Sequence, residues 1–134
     1  RYSSVKTERK YGKNVPSVKV DKRQIQQVFL NFMMNAAQAM PEGGTLTIMT
    51  RGVADKQDPR RRFVETIFRD TGIGIAKEKF DQLFQPFYTS GKEGGTGLGL
   101  SISKSIIEKH QGCIYFDSEV GKGTTFFIRL PAAK

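Results

Sequence analysis

The segment from Ile25 to Met40 constrains the fold of this chain more than any other. Read as a helix, it carries Ile25, Val28, Phe29, Leu30, Phe32, Met33, Met34, Ala36, Ala37 and Ala39 over most of its circumference. Gln24, Gln27, Asn31, Asn35 and Gln38 fall on one arc of roughly 80°, at 100° per residue. Such a helix is buried on nearly all sides, its methionines and phenylalanines forming core. A solvated stripe normally carries Lys and Glu, whereas this one holds only uncharged amides. Either it walls a pocket that must present oxygens at a fixed depth, or neighbouring loops satisfy it. Asn31 and Asn35, one turn apart, face the same way. Asp21 and Gln24 have the spacing of a capping box, so the helix is expected over residues 22–40, with Pro41-Glu42-Gly43-Gly44 ending it.

The remaining pattern alternates with turns. Residues 2–20, broken by Gly12 and Pro16, suggest one or two edge strands. Residues 45–50 and 63–69 read as strands that pair antiparallel across a polar loop at 52–62. A short helix fits residues 76–83, and residues 84–97 are too rich in glycine for a regular element. A second long helix is expected over residues 98–111, with Leu98, Ile102 and Ile106 on one face and Gly112 past its end. A hairpin of residues 112–118 and 124–130 closes the chain.

Two glycine clusters flank these elements. Asp70 ends an apolar strand and leads into Thr71-Gly72-Ile73-Gly74-Ile75. A carboxylate there can accept a hydrogen bond from the exocyclic amine of adenine and would repel the carbonyl of guanine; the same pattern also serves as an ordinary turn. Gly94-Gly95-Thr96-Gly97-Leu98-Gly99-Leu100 precedes the second helix, so free N–H groups and the positive dipole end would face phosphates. The spacing is neither that of a Walker loop nor that of a dinucleotide fingerprint. Lys92 either folds over a terminal phosphate or stays solvated on its loop. Phe84, Pro86, Phe87 and Tyr88 would anchor that loop by burying aromatic surface.

Composition sets the limits. The 134 residues suit one domain spanning residues 1–134, and 37% hydrophobic with 26% charged residues argues against disorder. No segment is long and apolar enough to span a bilayer. The abrupt start suggests a piece of a longer protein. Of the net charge of +9, residues 1–69 hold fourteen Lys and Arg against six acids, and the rest hold eight against seven. That asymmetry, and the lack of aromatic residues interleaved with Arg60-Arg61-Arg62, argue against nucleic acid as a partner. The single Cys113, between Gly112 and Ile114, is expected to be a buried thiol.

In this order the motifs resemble the catalytic and ATP-binding (HATPase) domain of two-component sensor histidine kinases, in the GHKL superfamily shared with gyrase and heat-shock chaperones. Residues 27–40 are similar to its N box and residues 70–75 to its G1 box. Phe80-x-x-Leu83-Phe84-x-Pro86-Phe87 is similar to the F box, residues 95–100 to the G2 box, and Gly121-x-Gly123-Thr124-Thr125-Phe126 to the last glycine box. Asn-Ala-Ala-Gln-Ala-Met and Pro-Phe-Tyr-Thr-Ser also resemble the nitrogen-regulatory branch. The resemblance implies an α/β (α+β) two-layer sandwich: a mixed, largely antiparallel sheet of about five strands faced by about three helices. It also implies ATP and Mg²⁺ as cofactors.

By the same resemblance Asn35 would hold Mg²⁺, Asn31 would bind beside it, Asp70 would hold adenine and Thr124 would support the base. Asn31, Asn35 and Lys92 form the implied catalytic set. Gln38, Gly72, Gly74, Ile75, Phe87, Gly95, Thr96, Gly97, Leu98, Gly99 and Leu100 complete the nucleotide contacts, under a lid at residues 84–96. Gln38 stands where many such kinases have Lys or Arg. Asn31 stands where ATP-hydrolysing relatives have a Glu base, and an amide cannot take a proton from water at neutral pH. The only histidine, His110, is read as structural. The implied function is transfer of the γ-phosphoryl of Mg-ATP to a histidine on a separate dimerisation domain, with a response regulator downstream. The fragment would be monomeric and cytoplasmic, and the parent a homodimer, with or without a membrane anchor. The other readings are a serine kinase or ATPase of the superfamily, and a non-catalytic nucleotide-binding module.

Overall fold

A computed structural model describes residues 4–86 and 99–133. Strand β1 (Val5–Tyr11) is followed by helix α1 (Lys22–Ala39), then β2 (Gly44–Ala54) and β3 (Arg62–Asp70). A 3₁₀ helix (Lys77–Gln82), helix α2 (Gly99–Lys109), β4 (Cys113–Glu119) and β5 (Gly123–Pro131) complete it. The five strands form one sheet in the order β1-β2-β3-β5-β4. Only β1 and β2 run parallel; the other pairs are antiparallel. The early segment thus supplies one edge strand, plus a single bridge from Val18 to Ala132. The expected hairpins are present, with β2 and β3 reaching further than their alternation suggested: Val53 pairs Phe63 and Ala54 pairs Arg62.

The period-2 alternation places Leu46, Ile48, Phe68, Phe126, Ile128 and Leu130 on one face, packed against Ile25, Val28, Phe32 and Ala36 of α1 and Ile107 of α2. The expected two-layer sandwich is therefore the architecture. Phe32 is 1% exposed and sits between Phe68 and Phe126, with ring centroids at 5.8 and 4.8 Å. Registry brings Phe68 and Phe126 side by side on adjacent strands, so one helical ring fills the hollow between them.

Two polar pins hold α1 and α2 antiparallel. Asp21 caps α1, accepting from the Gln24 N–H at 3.1 Å. The Asp21 N–H, which a reciprocal capping box would give to the Gln24 side chain, goes instead to His110 Nε2 at 3.0 Å. Nε2 is therefore an acceptor, and Nδ1 carries the proton toward the Ile106 carbonyl at 2.8 Å. His110 thus bonds backbone groups of both helices, in keeping with a structural role. At the other end Asn31 meets Gly99 and Ser103.

Four expectations about faces are corrected. Leu30 and Met34 are 52% and 42% exposed, so α1 has a solvent side opposite Val28 and Phe32 and is not buried nearly all round. On α2, Ile102 is 45% exposed and the fully covered positions are Ser103 and Ile107, about one residue's rotation from the expected stripe. The left-handed residue closing α2 is Gln111 (φ 61°) rather than Gly112, whose N–H returns to the Ile107 carbonyl at 2.9 Å. Cys113 is exposed, because β4 turns Ile114 and Phe116 inward and leaves the odd positions outside.

The sheet face away from the helices carries a charged cluster. Glu65 on central β3 is completely buried, and registry sets Arg51 on one side of it and Arg129 on the other. Arg51 Nε donates to Glu65 Oε1 at 2.8 Å, Arg129 Nη2 donates to Oε2 at 2.8 Å, and the Tyr115 hydroxyl also donates to Oε2. Tyr115 stacks on Phe127 with centroids at 4.6 Å, roofing the site. Burial raises the Glu65 carboxyl's proton affinity, but the bonds from Tyr115, Arg129 and Arg51 outweigh it and hold the group below its ordinary value of 4.5. A depressed native value means that the stabilisation is complete above that ordinary value and is lost as pH falls through the lower native one. Glu65→Gln should lower stability by about 2–3 kcal/mol at pH 7, half-exposed Arg51 reducing the usual cost of a broken buried pair. In urea titrations at pH 7 and pH 3.5 the variant should also lose less stability on acidification than the parent; equal acid sensitivity would refute this role.

Candidate functional site

Asp70 is the last residue of β3 and is 4% exposed. Its Oδ1 accepts from two backbone groups, Gly72 N–H at 2.9 Å and Thr124 N–H at 3.1 Å. The first closes the turn that the sequence suggested. The second reaches β5 and locks the carboxylate into the sheet, so Asp70 is more than a turn residue. Buried Thr124 also pairs its hydroxyl with Ser118 Oγ at 2.7 Å, and Ser118 Oγ accepts from the Ile75 N–H at 2.8 Å. Ser118 escaped sequence reading; its only signal is an inward position at the end of an alternating strand.

The loop after Asp70 runs across the end of α1. Ile73 N–H donates to the Ala39 carbonyl at 2.9 Å. A Cβ at Gly72 would lie 2.4 Å from that same carbonyl, which excludes any side chain. Gly74 has φ 75°, and a Cβ there would lie 2.2 Å from the Glu119 carbonyl. Ile75 is buried in the core. The glycines thus let the loop lie flat between the α1 terminus and β4, holding Asp70 beside the helix that carries the amides.

On α1, Asn31, Asn35 and Gln38 are all half-buried. Asn31 lies against the start of α2: its Nδ2 donates to the Gly99 carbonyl at 3.2 Å and to Ser103 Oγ at 3.1 Å. Asn31 Oδ1 accepts from Gln27 Nε2 at 2.8 Å. The stripe therefore runs from the N-terminus of α2, at Asn31, to the Asp70 loop, at Ala39. Eight residues of helix make that about 12 Å. Leu100 packs partly buried on the core. The structure brings Asn31 to Gly99 at the start of α2, and Asp70 to Gly72 and Thr124, with Gly74 and Ile75 following in the same loop; Asn35 and Gln38 lie on α1 between these two groups. Phe87, Lys92, Gly95, Thr96, Gly97 and Leu98 lie outside the described residues.

Among the residues that lead toward that segment, Phe84 rests its ring on Phe116 and Phe126, at 6.0 and 6.4 Å, and Leu83 is buried. Pro86, expected as an anchor, is exposed. Among the described residues no three His, Cys, Asp or Glu side chains cluster as a metal site. The available donors are neutral amide oxygens. They suit a hard divalent ion that keeps water and phosphate oxygens as its other ligands, not one caged by protein.

Comparison with known proteins agrees with this geometry. A profile of the histidine kinase-, DNA gyrase B- and HSP90-like ATPase family matches residues 20–134. The chain is 45% identical over 130 residues to the sensor kinase CckA of Brucella abortus, covering 90% of this chain and 14% of that protein. It is 44% identical over 135 residues to the sensory histidine kinase/phosphatase NtrB of Klebsiella oxytoca, covering 98% and 38%. The chain thus spans well under half the length of these relatives. It superposes on the mycobacterial sensor histidine kinase MprB with a TM-score of 0.81 at 28% identity, covering 98% of this chain and 85% of that one. The chain belongs to the histidine kinase-, DNA gyrase B- and HSP90-like ATPase family, as a catalytic domain of the sensor histidine kinase kind.

Proposed function

We propose that this domain binds Mg-ATP along the amide stripe and transfers the γ-phosphoryl group to a histidine on a separate dimerisation domain. The observation that carries the reading is Asp70, a buried carboxylate whose Oδ1 is saturated by two backbone N–H groups. Its second oxygen would accept from the adenine amine, with Thr124 behind the base, while Gly72 and Gly74 let the ring approach backbone. The phosphates would lie toward Asn31, Asn35, Gln38 and the start of α2, where the positive end of the helix dipole favours anions. Gly95, Thr96, Gly97, Leu98, Gly99 and Leu100 would line that end, with Lys92 and Phe87 from the covering segment.

Asn35, with Asn31 beside it, would hold Mg²⁺, which supplies neutralisation of phosphate charge. Asn31 cannot deprotonate water, so slow hydrolysis leaves the γ-phosphoryl for a better nucleophile. An imidazole nitrogen of the acceptor forms the new N–P bond as the bond to the ADP oxygen breaks, and catalysis rests on positioning and charge stabilisation. His110 is not that acceptor, because both its ring nitrogens are held by backbone groups. The acceptor therefore comes from a partner domain, which fits a homodimeric parent signalling to a response regulator. No helix among the described residues is long and apolar enough to cross a membrane. We place the domain in the cytoplasm, where ATP is supplied.

Three measurements test the reading. In Asp70→Asn the amide oxygen would stay on the Gly72 and Thr124 N–H groups, turning its NH₂ toward the purine amine, donor against donor. ATP affinity by calorimetry should fall about 100-fold, roughly 3 kcal/mol; unchanged affinity would count against the adenine role. Asn35→Ala should abolish the Mg²⁺-dependent part of ATP binding, and a metal effect surviving the change would remove Asn35 as a ligand. With the cognate helical domain and labelled ATP, the product should be an acid-labile phosphoprotein. An acid-stable product would mark a serine kinase, and binding without transfer a nucleotide-binding module.

A further inference from the structure

Ser103 is fully buried on the inward face of α2, one turn beyond Gly99, where an aliphatic side chain would ordinarily pack. A hydroxyl placed there costs free energy unless it is bonded, and its partner is Asn31 Nδ2 at 3.1 Å. The Gly99 carbonyl, 3.2 Å from the same nitrogen, can only accept. The Gly99 carbonyl determines which end of the Asn31 amide faces α2, and the Ser103 oxygen gives that NH₂ its second acceptor; Oδ1 is thereby turned toward the stripe, where Gln27 Nε2 meets it at 2.8 Å. A flipped amide would set its oxygen against the Gly99 carbonyl.

We propose that Ser103 is a positioning residue for the nucleotide site, acting through Asn31: its hydroxyl oxygen, with the Gly99 carbonyl, holds the Asn31 NH₂ on α2 so that Oδ1 stays turned into the amide stripe. The inference rests on the reading of that stripe as the Mg-ATP site. It adds a residue from α2 whose side chain need not touch the ligand. It also assigns a role to Gln27, whose Nε2 donates to Oδ1 and leaves that oxygen a second lone pair. Without the Ser103 oxygen, the NH₂ keeps only the Gly99 carbonyl as acceptor and is held less firmly, which weakens ATP binding rather than the fold.

The test compares Ser103→Thr with Ser103→Val in the 134-residue chain. The two side chains share one shape and differ only in the hydroxyl. ATP affinity is measured by calorimetry in the presence of Mg²⁺, and melting temperature separately. Thr should keep the parent affinity within about twofold, while Val should lose about 3- to 10-fold, the worth of one hydrogen bond, at a melting temperature no lower than that of Thr. Equal ATP affinity of the Thr and Val variants overturns the proposal. If the added methyl prevents both from folding, Ser103→Ala decides: the same loss supports the proposal and parent-like affinity overturns it. A parent chain that binds no ATP in the same titration overturns the site reading itself, and this inference with it.

Discussion

The structure depends on one carboxylate shared by two loops. Asp70 closes its own turn through the Gly72 N–H and reaches across to the Thr124 N–H at the start of β5. The central strand, the glycine loop and the closing hairpin are thereby tied at a single oxygen. Buried charge of this kind persists only when it is bonded, and here the bonds come from backbone, which cannot rotate away. The fold itself thus fixes the orientation of this carboxylate.

A second polar arrangement sets the helices. Between Asp21–His110 at one end and Asn31 with Gly99 and Ser103 at the other, the α1–α2 contact carries the aliphatic and aromatic packing of the core. Apolar contacts alone tolerate sliding by a fraction of a turn, whereas hydrogen bonds at both ends do not. That registration sets the amide stripe of α1 against the N-terminal turn of α2. The Glu65 cluster does comparable work on the opposite face, where a two-layer fold would otherwise leave the central strand open to water.

Much of this was legible from residue order. The alternation of β2 through β5, the capping signal at Asp21 and the stop after Met40 depend on neighbours within a few residues, and the elements form near where those signals place them, with β2 and β3 extending into residues expected as loop. The exposed faces were harder. Leu30, Met34 and Ile102 are apolar yet exposed, so hydropathy alone misdirected the reading of both helices, and Cys113 went outward with the odd positions of β4. Fully buried Glu65 was invisible, since a lone acid in an alternating strand reads as solvent-facing until registry sets an arginine on either side of it.

By itself the sequence determined the elements, their order, the identity of the amides and of Asp70, and the need for backbone to pass close at Gly72 and Gly74. These follow from local sterics and periodicity, which act over one turn or one pleat. Only the tertiary structure decided the partners: Asn31 with Ser103, 72 residues away, His110 with Asp21, 89 away, and Asp70 with Thr124, 54 away. Such pairs arise when strand registry and helix packing bring distant backbone together, and no local pattern encodes which donor will then stand within hydrogen-bond distance of which acceptor.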